Sequence, residues 1–364
     1  MVRPSWAEID LGAVADNVRT LSALVAPASV CAVVKADGYG HGDVPVAEAA
    51  LDAGAGVLAV ALVEEGIRLR EAGIEAPVLL LSEPPVQGAA EVVRWNLTPT
   101  VYRMEFAAAL SEVTPRTIPV HVKVDTGMHR VGAAVEGAAD LIRRVVADPH
   151  FRLEGVWTHF AVADEDDAFT EVQLKRFVGV LADLERLGIE VPIRHAANTA
   201  GAIRFPQTRF DMVRVGIGLY GINPAPDLIT EVAFRPAMRI VSQVAMVRRY
   251  PAGVRPSYGR RRPLAEEASV ATVPIGYADG LPRSLAGEGE VLIRGRRHRL
   301  AGSVTMDQIL VDVGNTPVNV GDEVVLIGRQ DGEEITAAEW ARHLGTIPYE
   351  IVCQIGPRLP RMYL

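Results

Sequence analysis

Between Ser29 and Gly221 the sequence repeats one pattern, a short β-branched apolar run followed by a longer stretch of helical periodicity. The runs are SVCAVVKA (29–36), GVLAVAL (56–62), PVLLLS (77–82), LTPTVY (97–102), IPVHVKVD (118–125), FRLEGVWTHF (151–160), PIRHAAN (192–198) and MVRVGIGLY (212–220). Between them lie EEGIRLREAG, VEGAADLIRRVVAD and EVQLKRFVGVLADLERLG, each ending near a Gly or Pro stop. Strands alternating with helices in this way make a parallel sheet covered by helices. Eight such runs predict a closed (β/α)8 barrel of the TIM type, ahead of an open doubly wound sheet. A helix over Leu11–Val25, capped by Asp10, precedes the first run and lies outside the repeat.

From about Ala237 the texture changes to β-branched alternation broken by Gly, Pro and charged turns, as in RIVSQVAMVRRY, ASVATVPIG, EVLIRGRRHRL, QILVDVG and DEVVLIGRQ. That pattern predicts a second, mainly antiparallel β domain over 237–364, after a barrel domain over 1–236. A chain of 364 residues exceeds what one hydrophobic core usually supports, so two domains fit its length.

A net charge of −8 and a 5% aromatic share argue against nucleic acid as a partner, which is bound through clustered cations and stacking surfaces. Two cysteines, Cys31 and Cys353, give neither a disulfide framework nor a zinc site, and no other metal site is expected. MVRPSWAEID carries no basic stretch leading into an apolar segment, and no apolar run nears the roughly 20 residues of a spanning helix. The expectation is a soluble cytoplasmic protein without a membrane partner.

Chemistry in such a barrel sits where the strands end, and there the runs collect charge. Lys35 closes the first, Lys123 and Asp125 the fifth with Arg130 just beyond, His159 the sixth, Asn198 and Thr199 the seventh; Arg214, Gly216 and Gly218 punctuate the eighth. Each alone reads as a satisfied polar residue at a strand terminus. Together they read as a crevice for an anion, and the glycines of RVGIGLYG with the Thr199 hydroxyl suit a phosphate. A phosphate beside a lysine amine points to an aldehyde cofactor held covalently, with pyridoxal 5'-phosphate (PLP) the obvious candidate. Crowding by cations and partial burial would lower the pKa of Lys35 and free its amine for that bond.

The segments VVKADGYGHG, DTGMHRVG, THFAVAD, RVGIGLYG, SYGR, VPIGYADGLPR, GSVTMDQ and PYEI, in this order, resemble the alanine racemases, fold-type III PLP enzymes. The resemblance spans the chain from WAEIDL to RLPRMY. It implies a head-to-tail homodimer in which Lys35 carries PLP and Tyr258 of the second chain completes the site. It further implies two bases, Lys35 for the D isomer and Tyr258 for the L isomer, acting on alanine to supply D-alanine for peptidoglycan. By the same resemblance His159 lies beside the tyrosine and the cofactor, and Arg214 faces the pyridine nitrogen. Tyr39, Asn198, Thr199, Gly216, Ile217 and Tyr349 belong to the cofactor-binding set, whereas Arg130 and the Met306 backbone meet the substrate carboxylate. Lys123 is either carbamylated, as in some relatives, or a plain lysine paired with Asp125; the sequence leaves both open.

Four positions depart from the family pattern: Thr199 where Ser is common, Ser303 and Thr305 in Ser303-Val304-Thr305-Met306-Asp307 where Arg-Val-Cys-Met-Asp is common, and Leu281 where Tyr is frequent. Loss of Arg at Ser303 bears on the width and charge of the substrate path. Alternatives to an alanine racemase are a broader small-amino-acid racemase acting on serine, a fold-type III decarboxylase, and a non-enzymatic PLP carrier. Arg214 and Thr305 speak against the decarboxylase, and SYGR with SVTMDQ against the carrier.

Overall fold

In the computed structural model, which describes residues 2–225 and 232–364, the eight apolar runs become eight strands. They are β1 (Ser29–Val33), β2 (Val57–Val60), β3 (Val78–Leu80), β4 (Thr100–Val101), β5 (Ile118–Asp125), β6 (Phe151–Trp157), β7 (Ile193–His195) and β8 (Met212–Val215). All pairings are parallel. β1 pairs with β2 and β2 with β3, and a bridge from Leu79 to Thr98 carries the ladder toward β4. β4, β5, β6 and β7 then pair in turn. The ring closes through Arg214 N donating to Ala197 O (3.0 Å) and through the β8–β1 pairing.

Strands such as β3 and β8 lack alternation because a barrel strand has side chains packed on both faces. β3 and β8 are buried along their whole length. The covering helices show the complementary stripe: Val135–Ala147 buries Ala138, Leu141, Ile142 and Val145. Helix Asp167–Arg186 starts where the Asp166 carboxylate accepts from Phe169 N (3.0 Å), and helix Leu11–Val25 where Asp10 accepts from Ala13 N (2.7 Å).

The chain forms two compact units, one of Val14–Gly38 with Asp43–Arg235, the other of the N-terminal segment through Ala13, Tyr39–Gly42 and Pro236–Leu364. Ser5–Ile9 joins the second unit because it pairs antiparallel with Met238–Gln243 and parallel with Arg361–Tyr363. That sheet continues antiparallel through Glu323–Gln330, Glu290–Ile293 and Arg296–Arg299. A separate antiparallel sheet joins Met246–Tyr250, Ala268–Val273 and Ile309–Gly314. No helix among the described residues is long and apolar enough to cross a membrane.

Candidate active site

The sequence placed Lys35 within the first strand, but the ladder stops at Val33 and Lys35 opens a turn. Ala36, Asp37 and Gly38 take φ of 54, 53 and 56°, and Tyr39 and Gly40 continue with positive φ. Left-handed backbone costs an L-residue roughly 1 kcal/mol, so this turn must be held by its surroundings. The Glu65 carboxylate, buried, accepts from Ala36 N (2.7 Å), Ala61 N (2.8 Å) and Leu62 N (3.0 Å). Asp37 accepts from Asp43 N (3.2 Å), and Asp43 in turn receives Arg68 at 2.6 Å. Lys35 is left half-buried just past the C-terminal end of β1.

Around that end the barrel unit concentrates positive charge. Lys123, only 4% exposed, has its amine 4.4 Å from the centre of the Trp157 ring, and the Arg214 guanidinium lies at the same distance from that ring. Burial, reinforced by Arg214 and Arg130 and by Lys35, pulls the Lys123 pKa down to about 7. Asp125 does not form the ion pair with Lys123 that one reading of the sequence required: among the described residues its carboxylate receives Gly127 N, His129 N and the His129 ring. Burial and the field of Arg214, Lys123, Arg130 and Lys35 hold His159 well below its ordinary value, so its ring is neutral at pH 7. Arg130 itself is exposed.

Arg214 sits inside β8, 3% exposed, rather than at its end. Its Nη2 donates to Thr158 O (2.7 Å) and Ala196 O (2.9 Å) and lies 3.2 Å from His159 Nδ1; its Nη1 donates to His195 Nδ1 at 2.9 Å. Every one of these partners is neutral. Among the described residues Nε donates to no protein acceptor, which leaves it for a ligand. Burial pulls the guanidinium to about 10, still charged at neutral pH.

Past β7, Asn198 caps helix Thr199–Arg204 by accepting from Gly201 N (2.9 Å), and the Thr199 hydroxyl accepts from Gly216 N (3.2 Å). Gly216 precedes a short 3-10 turn, Ile217–Tyr220, buried throughout. Gly218 must be glycine there, since a Cβ would lie 2.7 Å from Thr199 Cγ2. Asn198, Thr199, Gly216 and Ile217 therefore form one contiguous group of hydroxyl and backbone donors. Hydroxyl and N–H donors at one end, a lysine amine and a donor-only arginine elsewhere in the same unit match the phosphate, aldehyde and ring nitrogen of PLP.

The remaining residues lie in the other unit. Tyr39 and Tyr349 have ring centres 6.1 Å apart. Tyr258 is 73% exposed and Met306 51% exposed. The Tyr258 turn is latched from behind: Ser257 Oγ donates to Ser303 O and Ser303 Oγ to Tyr258 O, both at 2.8 Å. Ser303 is buried, with its hydroxyl and carbonyl both engaged by the tyrosine loop. The Met306 loop is fixed by Tyr277 N and Ala278 N donating to Thr305 O and Met306 O, and by Arg358, which bridges Asp307 (2.7 Å) and Asp279 (3.3 Å).

Sequence reasoning passed over His121 and His195, although both were in quoted runs. Along β5 the period of two puts His121 on the face that carries Lys123, and that alternation was the available signal. His121 fits only because its β6 partner is Gly155, where a Cβ would come 2.4 Å from the His121 ring and 2.9 Å from Ile193 O. Gly155→Ala is expected to cost about 1–3 kcal/mol of stability through overpacking, read from the urea midpoint; an unchanged midpoint would show that the ring can move aside.

Profiles of known families match the chain twice: "Alanine racemase, N-terminal domain" over residues 9–224 and "Alanine racemase, C-terminal domain" over residues 237–363. An alanine racemase of Desulfovibrio desulfuricans is 46% identical over 368 residues, covering 100% of this chain and 98% of the relative. The crystal structure of alanine racemase from Streptomyces lavendulae superposes with a TM-score of 0.95 at 40% identity, covering 100% of this chain and 97% of the other. A histidine racemase from Leuconostoc mesenteroides superposes at 0.91 with 29% identity, covering 100% and 98%, so the architecture is shared by racemases of unlike substrates. Two matched domains and relatives aligned end to end account for the lysine turn, the buried arginine and the second unit together, and the chain belongs to the alanine racemase family.

Proposed function

We propose that this protein interconverts L- and D-alanine using PLP held on Lys35, with Tyr258 of a second copy as the opposing base. The observation that carries this reading is Arg214, a buried cation whose protein partners are all neutral and whose Nε is unclaimed. The chemistry the cofactor supplies when bound is delocalisation of the electron pair left behind by the departing α-proton. Arg214 would donate to the ring nitrogen without surrendering its proton, which would keep that sink weak and favour return of a proton over transamination or decarboxylation.

Inversion needs a proton removed on one face and returned on the other. Lys35 serves one face. Tyr258 serves the other as a phenolate, and the tautomer of His159 supports it. Arg214 can only donate, so His159 Nδ1 is the acceptor and the ring proton sits on Nε2, where it can donate to a phenolate. The exposure of Tyr258 and Met306 in a single chain suits residues that are covered by a partner in a homodimer. Arg130 binds the substrate carboxylate as a planar fork, and the Met306 backbone approaches it from the partner chain. Tyr39, Asn198, Thr199, Gly216, Ile217 and Tyr349 hold the cofactor.

Lys123 fits a carbamate better than a plain amine. With its pKa near 7, half of its amine is neutral at pH 7 and free to add to CO2, and the product carries a negative charge into a cluster of three cations, Arg214, Arg130 and Lys35. Protein equilibrated with 13C-bicarbonate is expected to show a carbamate carbon that Lys123→Ala removes. A plain lysine predicts a different result. Its folded-state pKa lies below the unfolded 10.5, so protonation is penalised below about pH 7 and the penalty fades by 10.5. Stability would then climb across that window, whereas a carbamate abolishes the climb.

The product suits a cytoplasmic supply of D-alanine for peptidoglycan. Substrate choice is tested by kcat/KM for both isomers of alanine, serine and a basic amino acid. Alanine is expected to lead, by only a modest factor over serine because one hydroxyl in a small pocket discriminates weakly; serine or the basic amino acid leading would overturn the assignment.

A further inference from the structure

We propose that Glu154 is a positioning residue for Arg214, acting through His121 and His195 as a hydrogen-bonded relay of fixed polarity. The proposal rests on the reading that Arg214 faces the cofactor's ring nitrogen. Four groups make a continuous chain from the barrel interior outward: Arg214 Nη1 to His195 Nδ1 (2.9 Å), His195 Nε2 to His121 Nδ1 (2.9 Å), and His121 Nε2 to Glu154 Oε2 (3.3 Å). Both histidines are buried, and Glu154 is the only member that reaches solvent.

The two ends decide every proton between them. A guanidinium has five donors and no acceptor, so His195 Nδ1 must present its lone pair. Burial and the charge of Arg214 hold the His195 pKa well below its ordinary value, so the ring is neutral and its one proton is on Nε2. That proton is donated to His121 Nδ1, which leaves His121 to carry its own on Nε2. Glu154 receives it as a carboxylate, its pKa lowered chiefly by this hydrogen bond. Any one ring turned to its other tautomer would put donor against donor at the next link. Trp157 supports the arrangement from the side, stacked on His195 at 5.5 Å with 14° between planes while its face receives the Arg214 charge.

The relay supplies what Arg214 lacks. No carboxylate pairs with it among the described residues, yet a buried charge is normally paired. Glu154, polarising two imidazoles in series, brings a negative end to the guanidinium without placing an acid near the ring nitrogen. An acid there could protonate that nitrogen. The His121–His195 pair thus holds the arginine's plane and partly offsets its charge while keeping the carboxylate at a distance. Two mutually satisfied histidines are a costly way to fill a core unless the Arg214 guanidinium needs the acceptor they present.

The test uses the holoenzyme with 15N-labelled histidine and the variants Glu154→Leu and Glu154→Gln. Wild type is expected to show protonated Nε2 and bare Nδ1 on both His121 and His195. Glu154→Leu, which removes the acceptor, should shift both rings' nitrogen signals. It should also lower kcat about tenfold in each direction, with KM for alanine little changed. The number of turnovers completed before the cofactor is converted to its amine form should fall as well. Glu154→Gln keeps an acceptor oxygen and should restore the tautomers while recovering part of kcat. A proton on Nδ1 of either histidine in wild type would overturn the proposal, as would Glu154→Leu with unchanged kcat. Arg214→Lys separates the two readings: if it alters the cofactor's absorbance while both Glu154 variants are silent, Arg214 keeps its place and the relay is wrong.

Discussion

Lys35→Ala is expected to remove the long-wavelength absorbance of the bound cofactor and to lower racemisation by at least about 10⁴-fold, because the amine we propose as the covalent anchor is also one of the two proposed bases. The protein should still fold. Lys35 is half-buried, and the turn that presents it is held by Glu65 through backbone N–H groups that the substitution leaves intact. An added small primary amine should restore a fraction of the rate, since it can reach the position of the missing side chain. Unchanged absorbance in the variant would refute the assignment of Lys35, and unchanged circular dichroism is needed to read the result as chemistry.

Tyr258→Phe removes one oxygen and should lower racemisation by roughly 10²–10⁴-fold with the cofactor still bound. The reaction's equilibrium constant does not change, so the loss must appear equally in both net directions. Exchange of the α-proton with solvent is not bound in that way. In deuterium oxide the variant should still exchange the α-proton of D-alanine through Lys35 while it fails to exchange that of L-alanine. Equal exchange of both isomers would mean that another group serves the tyrosine's face. Ser303→Ala should give a weaker form of the same phenotype, because it unlatches the backbone carbonyl of Tyr258 without touching the phenol.

Much of the barrel could be read directly from the sequence. Runs such as IPVHVKVD coincide with the strand Ile118–Asp125, because β-branched Ile118, Val120, Val122 and Val124 at every second position between a Thr and a Gly-rich turn leave the chain little choice. The runs overshot wherever the strand gives way to the site. SVCAVVKA loses its last residues to the left-handed turn, and MVRVGIGLY ends as a strand at Val215 before the 3-10 turn at Ile217. Local pattern cannot distinguish a strand from the extended approach to a turn that is imposed by Glu65 or Thr199 from elsewhere in the chain. The cation cluster was legible because charge at the end of an apolar run is conspicuous. His121 and His195 were not, since a histidine within a strand ordinarily signals nothing until its partner across the sheet is known. The Ser303 hydroxyl was equally silent, since its bond to the Tyr258 carbonyl joins residues 45 apart in the chain.

The central claim is that each site takes one base from each of two chains, and mixing inactive proteins tests it most directly. Lys35→Ala and Tyr258→Phe homodimers should each be nearly inactive alone. Co-refolded, they form hybrids in which one site collects both lesions and the other keeps an intact lysine opposite an intact tyrosine. Recovery on the order of a quarter of wild-type activity is the predicted result for random assortment. Hybrids shown to form by mass, yet no more active than their parents, would place both bases in one chain and contradict the account.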